Sequence, residues 1–113
     1  MKSSAHLDRM PTSPGDILRC EFLQHHKITQ DEFAAAIGMS RLTVNQLLNG
    51  KRSITAELAL RLAHVTNMTP EFWLNLQMNV DLFEARQKIA SDLKKIKPIL
   101  AAPAADKVLS KAS

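Results

Sequence analysis

Between residues 40 and 52 the chain gathers side chains that donate and accept hydrogen bonds: Ser40, Arg41, Thr43, Asn45, Gln46, Asn49, Lys51 and Arg52, with the apolar Leu42 among them. These residue types match the edges of nucleic-acid bases. Arginine offers two parallel N–H groups to the N7 and O6 acceptors of guanine. An asparagine or glutamine amide matches the donor and acceptor of adenine, and an apolar side chain meets the thymine methyl. Arg41 is therefore a candidate guanine reader, Asn45 or Gln46 a candidate adenine reader, and Leu42 a candidate methyl contact. Ser40, Thr43, Asn49, Lys51 and Arg52, with Gln30 upstream, suit phosphates. Phosphate contacts fix position without choosing sequence. Taken singly, Gln30, Ser40 and Thr43 read equally well as caps and solvated surface, and Lys51-Arg52 as a basic turn. The set at this spacing favours DNA.

Such a row reaches a groove only from a helix that stands out from a packed body. Residues 29–50 read as that unit, two short helices joined by a tight turn. Ala34 is small enough to let the second helix approach the first, and Gly38 permits a left-handed turn between them. Ile37, Val44 and Leu47 form the apolar contact that sets their angle. Gln30 opens the first helix, where backbone amides and the helix dipole favour an anion.

Helix starts are spelled out along the chain. Ser13-Pro14 with Asp16 begins the first helix, with serine as cap and proline at the first helical position. Ile17, Leu18 and Phe22 share its core face, Leu23 and Cys20 point elsewhere, and His25-His26-Lys27 close it. A pattern then repeats four times, with an apolar residue, a Thr or Ser, and a second apolar residue five positions after the first. The instances are Ile28-Thr29 with Phe33, Met39-Ser40 with Val44, Ile54-Thr55 with Ala59, and Met68-Thr69 with Trp73. Each is an N-cap inside a hydrophobic staple, and Thr29 with Glu32 is a full capping box. Gly38, Asn49-Gly50 and Asn67 mark the ends. The expectation is five helices and no strand. Helix four, about 56–66, turns Leu58, Ala59, Leu62 and Val65 inward and Arg61 outward.

Helix five, from Pro70 to about Ala90, carries two apolar stripes. Phe72, Trp73, Leu76, Val80 and Phe83 share one side; Leu74, Met78, Leu82, Ala85 and Ile89 share the nearly opposite one. A surface helix needs one apolar face, so the second stripe is an interface candidate. It is covered by a second chain or by Ile96, Ile99 and Leu100 folding back, and the short tail favours the second chain. Residues 1–12 read as a frayed arm, despite Lys2 and Arg9, residues 13–97 as one domain, and residues 98–113 as an Ala-, Pro- and Lys-rich tail.

The bulk properties agree with this organisation. The chain has 113 residues, 45% of them apolar, with a formal net charge of +4 that suits a polyanion but is too modest to argue from alone. A lone cysteine points to a reducing compartment. No stretch nears the roughly 20 apolar residues of a membrane span, and no secretory h-region opens the chain. A cytoplasmic protein without membrane contact is expected. Enzyme chemistry finds little support. There is no glycine-rich phosphate loop, and His6, His25, His26 and His64 are scattered. Cys20 and His25 do not share a helix face, and Cys20 reads as a half-buried small residue. Asp81 and Glu84 read as a solvated face. No catalytic residue, metal site or cofactor is expected.

Thr29–Arg52 resembles the lambda-repressor-like, Cro/XRE family of helix-turn-helix domains. Pro14–Leu23 resembles the opening of HigA-type antitoxins, also called VapI-like or addiction-module antidote proteins. Leu48–Thr55, Ala59–Ala63 and Pro70–Gln77 with Asp81-Leu82 are similar to the same family. The likeness covers about residues 12–90, and the Pro70–Gln77 run is its most diagnostic part. His25-His26 depart from the usual apolar end of the first helix, and the tail has no family pattern. The resemblance implies an all-α, five-helix lambda-repressor-like fold with a longer C-terminal helix. It further implies a homodimer on a palindromic double-stranded operator, repressing its own operon and silencing a RelE/HigB-like, mRNA-cleaving toxin. The alternative is a helix-turn-helix regulator with no toxin partner.

Overall fold

The computed structural model describes residues 9–101. Lys2 and most of the expected arm and tail lie outside the described residues. Within them the chain is helical, without a strand. α1 begins as an α-helix at Pro14–Ile17 and continues as a π-helix over Leu18–Gln24. α2 is Gln30–Ile37, α3 Arg41–Leu48, α4 Ala56–Thr66, α5 Pro70–Lys88 and α6 Ala90–Lys95.

Every expected cap is made. The side-chain oxygens of Ser13, Thr29, Ser40, Thr55 and Thr69 accept from the backbone N–H three residues on. Glu32 returns the bond to the Thr29 N–H at 2.8 Å, which completes the capping box. The ends are as specific as the starts. After α2, Gly38 is left-handed (φ 70°), Met39 N–H donates to Ala34 O and Gly38 N–H to Ala35 O. The same paired bonds close α3 around Gly50 and α1 around Lys27, a positive-φ residue that is not glycine. This arrangement satisfies carbonyls that a helix end otherwise leaves open.

The core joins Leu18 and Leu23 of α1, Phe33, Ala34 and Ile37 of α2, Val44, Leu47 and Leu48 of α3, and Ile54. Leu58, Ala59 and Leu62 of α4 and Trp73 of α5 complete it. Leu23 corrects the sequence reading. A 3.6-residue period turns it away from Leu18, yet both are buried, because residues 18–24 are π-helical. A π turn closes at i→i+5, so Leu23 returns over Leu18. Cys20 is exposed rather than half-buried.

α4 departs in two places. Val65 is exposed. Arg61, expected outward, is partly buried: it donates to Ile37 O at 2.8 Å, to Gly38 O at 3.4 Å and to Glu57 at 3.2 Å. A guanidinium has five donors and can satisfy several carbonyls at once. Here it covers the C-terminal end of α2, and so steadies the turn into α3.

On α5 the inner stripe packs as expected, with Trp73 and Val80 buried. Of the outer stripe, Leu74 is partly buried against the core. Met78, Leu82 and Ile89 are 50%, 42% and 38% exposed, and Ala85 is also exposed. The helix is interrupted at Ile89 (φ −110°, ψ 20°), although Ile89 still bonds Ala85 behind it and Leu93 ahead. The short α6 that follows was not expected. It adds Leu93 and Ile96, 44% and 65% exposed, to the uncovered apolar surface. Ile99 and Leu100 are 95% and 80% exposed, so the chain up to residue 101 does not fold back over the stripe.

Candidate nucleic-acid interface

α3 is eight residues long, and its buried positions Val44, Leu47 and Leu48 leave one flank free. That flank holds Arg41, Leu42 and Asn45, all exposed, with Thr43 and Gln46 half-buried beside them. Leu42 is 66% exposed. A large apolar side chain left open among polar ones contributes nothing to the core, and its burial is available to a partner. Asn49, Lys51 and Arg52 continue the exposed surface past the end of α3. Ser40 caps the start through Thr43 N–H, and its Oγ is 2.9 Å from Thr43 Oγ1. Ser40 is therefore a cap first, and its hydroxyl and that of Thr43 both stand at the start of α3.

The site residues hold one another. Asn49 Nδ2 donates to Asn45 O at 2.9 Å and to Asn45 Oδ1 at 3.3 Å, and Asn45 Nδ2 reaches Gln30 Oε1 at 3.5 Å. The amides of Asn49, Asn45 and Gln30 thus line up with each donor on the next acceptor. Gln30 is the first residue of α2, so its own NH2 stays available beside the helix N-terminus. Arg52 donates through Nε and Nη2 to Gln46 Oε1, at 3.2 and 2.9 Å. Arg41 pairs with Asp31 of α2 at 3.3 Å, with both side chains mostly exposed. An ion pair this open is worth about 0–1 kcal/mol, so Arg41 can leave it for a base at little cost.

The structure places the residues expected to meet DNA on the flank of α3, at the start of α2 and in the turn after α3, joined by the Asn49–Asn45–Gln30 and Arg52–Gln46 hydrogen bonds. Sequence reasoning missed four residues that position them. Asp31 orients Arg41. Gln77 accepts from Ile54 N–H at 2.9 Å and ties the segment after α3 to α5. Arg19 donates to Leu48 O at the end of α3. Gly15 lies against the same carbonyls: a Cβ there would fall 2.6 Å from Leu47 O and 2.7 Å from Leu48 O. All four act across segments distant in the chain, and residue type and local spacing carry no signal for such contacts. Among the described residues there is no cluster of metal-ligating side chains, and no helix is long and apolar enough to cross a membrane.

Comparison with known proteins places this geometry. A helix-turn-helix family model matches residues 21–74. Antitoxin HigA-1 of Vibrio cholerae is 43% identical over 91 residues, covering 80% of this chain and 86% of that one. Antitoxin HigA of Pseudomonas aeruginosa, solved with the higBA promoter, superposes with a TM-score of 0.75. It is 35% identical, covering 80% of this chain and 99% of that one. Antitoxin GraA in complex with its operator gives a TM-score of 0.74 at 37% identity, covering 83% of this chain and 95% of that one.

Proposed function

The chain belongs to the HigA-type family of helix-turn-helix antitoxins, and from that premise we propose that it is an operator-binding antitoxin. It dimerises, reads a palindromic site through α3, represses its own operon, and neutralises a RelE-like, mRNA-cleaving toxin. The observation that carries the DNA reading is the free flank of α3, where Arg41, Leu42 and Asn45 stand exposed on a helix otherwise fixed in the core. Arg41, Leu42, Asn45 and Gln46 read bases. Gln30, Ser40, Thr43, Asn49, Lys51 and Arg52 hold phosphates.

A footprint on the promoter of its own operon tests this. The wild-type protein is expected to protect two half-sites about 34 Å apart, centre to centre, as a two-fold dimer requires. Arg41→Ala is expected to weaken binding by about 1–3 kcal/mol and to relax the choice at one position of each half-site. Unchanged discrimination against operators substituted at each position would refute the role of Arg41.

The dimer reading draws support from Met78, Leu82 and Ile89, an exposed apolar line that the chain up to residue 101 does not cover. Leu74 is partly spent on the core and is a poor probe. Met78→Glu with Leu82→Glu is expected to halve the mass seen by sedimentation equilibrium at micromolar protein, with the helical content unchanged. The same mass for variant and wild type would move the dimer surface elsewhere. The toxin is tested by co-purification with the product of the adjacent gene. Failure to retain it, with operator binding intact, would leave a repressor without a toxin.

A further inference from the structure

A free glutamine amide offers one donor and one acceptor, and so matches adenine. In this fold the amide is not free. Arg52 directs two N–H groups, from Nε and Nη2, onto the single atom Oε1 at 3.2 and 2.9 Å. A guanidinium has donors only, so the pairing admits one orientation of the amide, with oxygen toward Arg52 and NH2 away from it. The two N–H groups take up the oxygen's accepting capacity. Gln46 is half-buried, which limits its freedom to swing out of the pair, and the six-residue separation places Arg52 just beyond the end of α3.

We propose that Arg52 makes Gln46 a donor-only reader, so that the base it meets in the major groove is guanine rather than adenine. Guanine presents two acceptors there, N7 and O6. Adenine presents N7 beside an N6 amino group, which would face the Gln46 NH2 donor against donor. Thymine offers the single acceptor O4 and ranks between them. Arg52 is a positioning residue here: it acts on specificity through Gln46, without itself touching the base. This rests on α3 reading DNA, and it deepens that reading by naming the base class at one position.

The test is selection of bound duplexes from a library with a randomised centre, using the full chain as wild type, Gln46→Ala, Arg52→Ala and Arg52→Lys. The position that loses its preference in Gln46→Ala is expected to be guanine in the wild-type consensus. In Arg52→Ala the freed carbonyl can accept from N6, and the adenine-to-guanine ratio at that position is expected to rise about tenfold. Arg52→Lys, which still donates to Oε1, is expected to keep guanine. Adenine at the Gln46-dependent position in the wild type would overturn the proposal. So would a Gln46→Ala consensus identical to the wild type. An Arg52→Ala variant that binds all sequences more weakly with the same base choice would also overturn it, leaving Arg52 a phosphate contact only. If the wild-type protein enriches no sequence, the DNA reading of α3 falls. If it enriches a consensus that Arg52→Ala does not shift, only the role of Arg52 falls.

Discussion

Replacing Trp73 with alanine is expected to cost about 3–5 kcal/mol of folding stability, the range for removing a large buried aromatic. Trp73 is fully buried and is where α5 meets the rest of the domain. Its ring lies 5.7 Å from Phe22 of α1 and 5.0 Å, edge to face, from Phe72. Its Nε1 donates to Thr66 Oγ1 at 3.3 Å, and that hydroxyl donates onward to Leu62 O. The alanine variant loses the packing on both sides and the indole donor together. A domain stable by about 5–15 kcal/mol is then left close to its unfolding threshold, which a urea titration followed by circular dichroism measures directly. Trp73→Phe keeps most of the volume and gives up one hydrogen bond, about 0.5–1.5 kcal/mol, with some further loss from the smaller ring. The folded Phe variant is expected to bind operator as the wild type does. A small loss for the alanine variant would mean that α5 is not anchored through this residue.

Gly15→Val is expected to destabilise the fold by about 2.5–6 kcal/mol, through overpacking at about 1–3 kcal/mol and loss of a charge-assisted hydrogen bond at about 1.5–3 kcal/mol. α1 crosses the end of α3 at Gly15, and the atoms facing a new Cβ there are backbone carbonyl oxygens, Leu47 O and Leu48 O, at 2.6 and 2.7 Å. A flexible side chain could yield, but a helix backbone cannot. The helices must therefore move apart, which pulls Arg19 away from Leu48 O. Because the displaced element is α3, operator affinity is expected to fall even under conditions where the variant remains folded. A thermal melt gives the stability, with roughly 4–8 °C expected per kcal/mol for a domain of this size. A melting temperature within a degree or two of wild type would show that α1 and α3 are not in close contact at Gly15.

Both predictions depend on contacts the amino-acid order does not spell out, whereas the elements those contacts join were legible in it. Thr29, Ser40, Thr55 and Thr69 announce four helix starts because a cap and its staple lie within five residues of chain. Gly38 and Gly50 announce two ends because a left-handed turn is a local requirement. The exposed flank of α3 was legible for the same reason, since a 3.6-residue period separates Val44 and Leu47 from Arg41, Leu42 and Asn45. The period misled where the helix changed its pitch, at Leu23 in the π-helical part of α1. Pattern alone also misplaced Arg61, because a charged residue is drawn inward by carbonyls that only folding brings within reach.

Residues 29–50 thus carried by themselves the existence, ends and outward face of the helix-turn-helix unit, since caps, turns and period are properties of neighbours in sequence. The tertiary structure alone decided what holds that unit and how its exposed side chains are aimed. Gly15 and Arg19 meet the end of α3, Gln77 ties down Ile54, Arg61 covers the end of α2 and Asp31 orients Arg41. Even the Arg52–Gln46 pair, six residues apart, depends on the turn that carries the chain back beside α3. Their physical reason is common to all: a hydrogen bond or a close approach between segments has a direction and a distance, and both are set only when the helices pack.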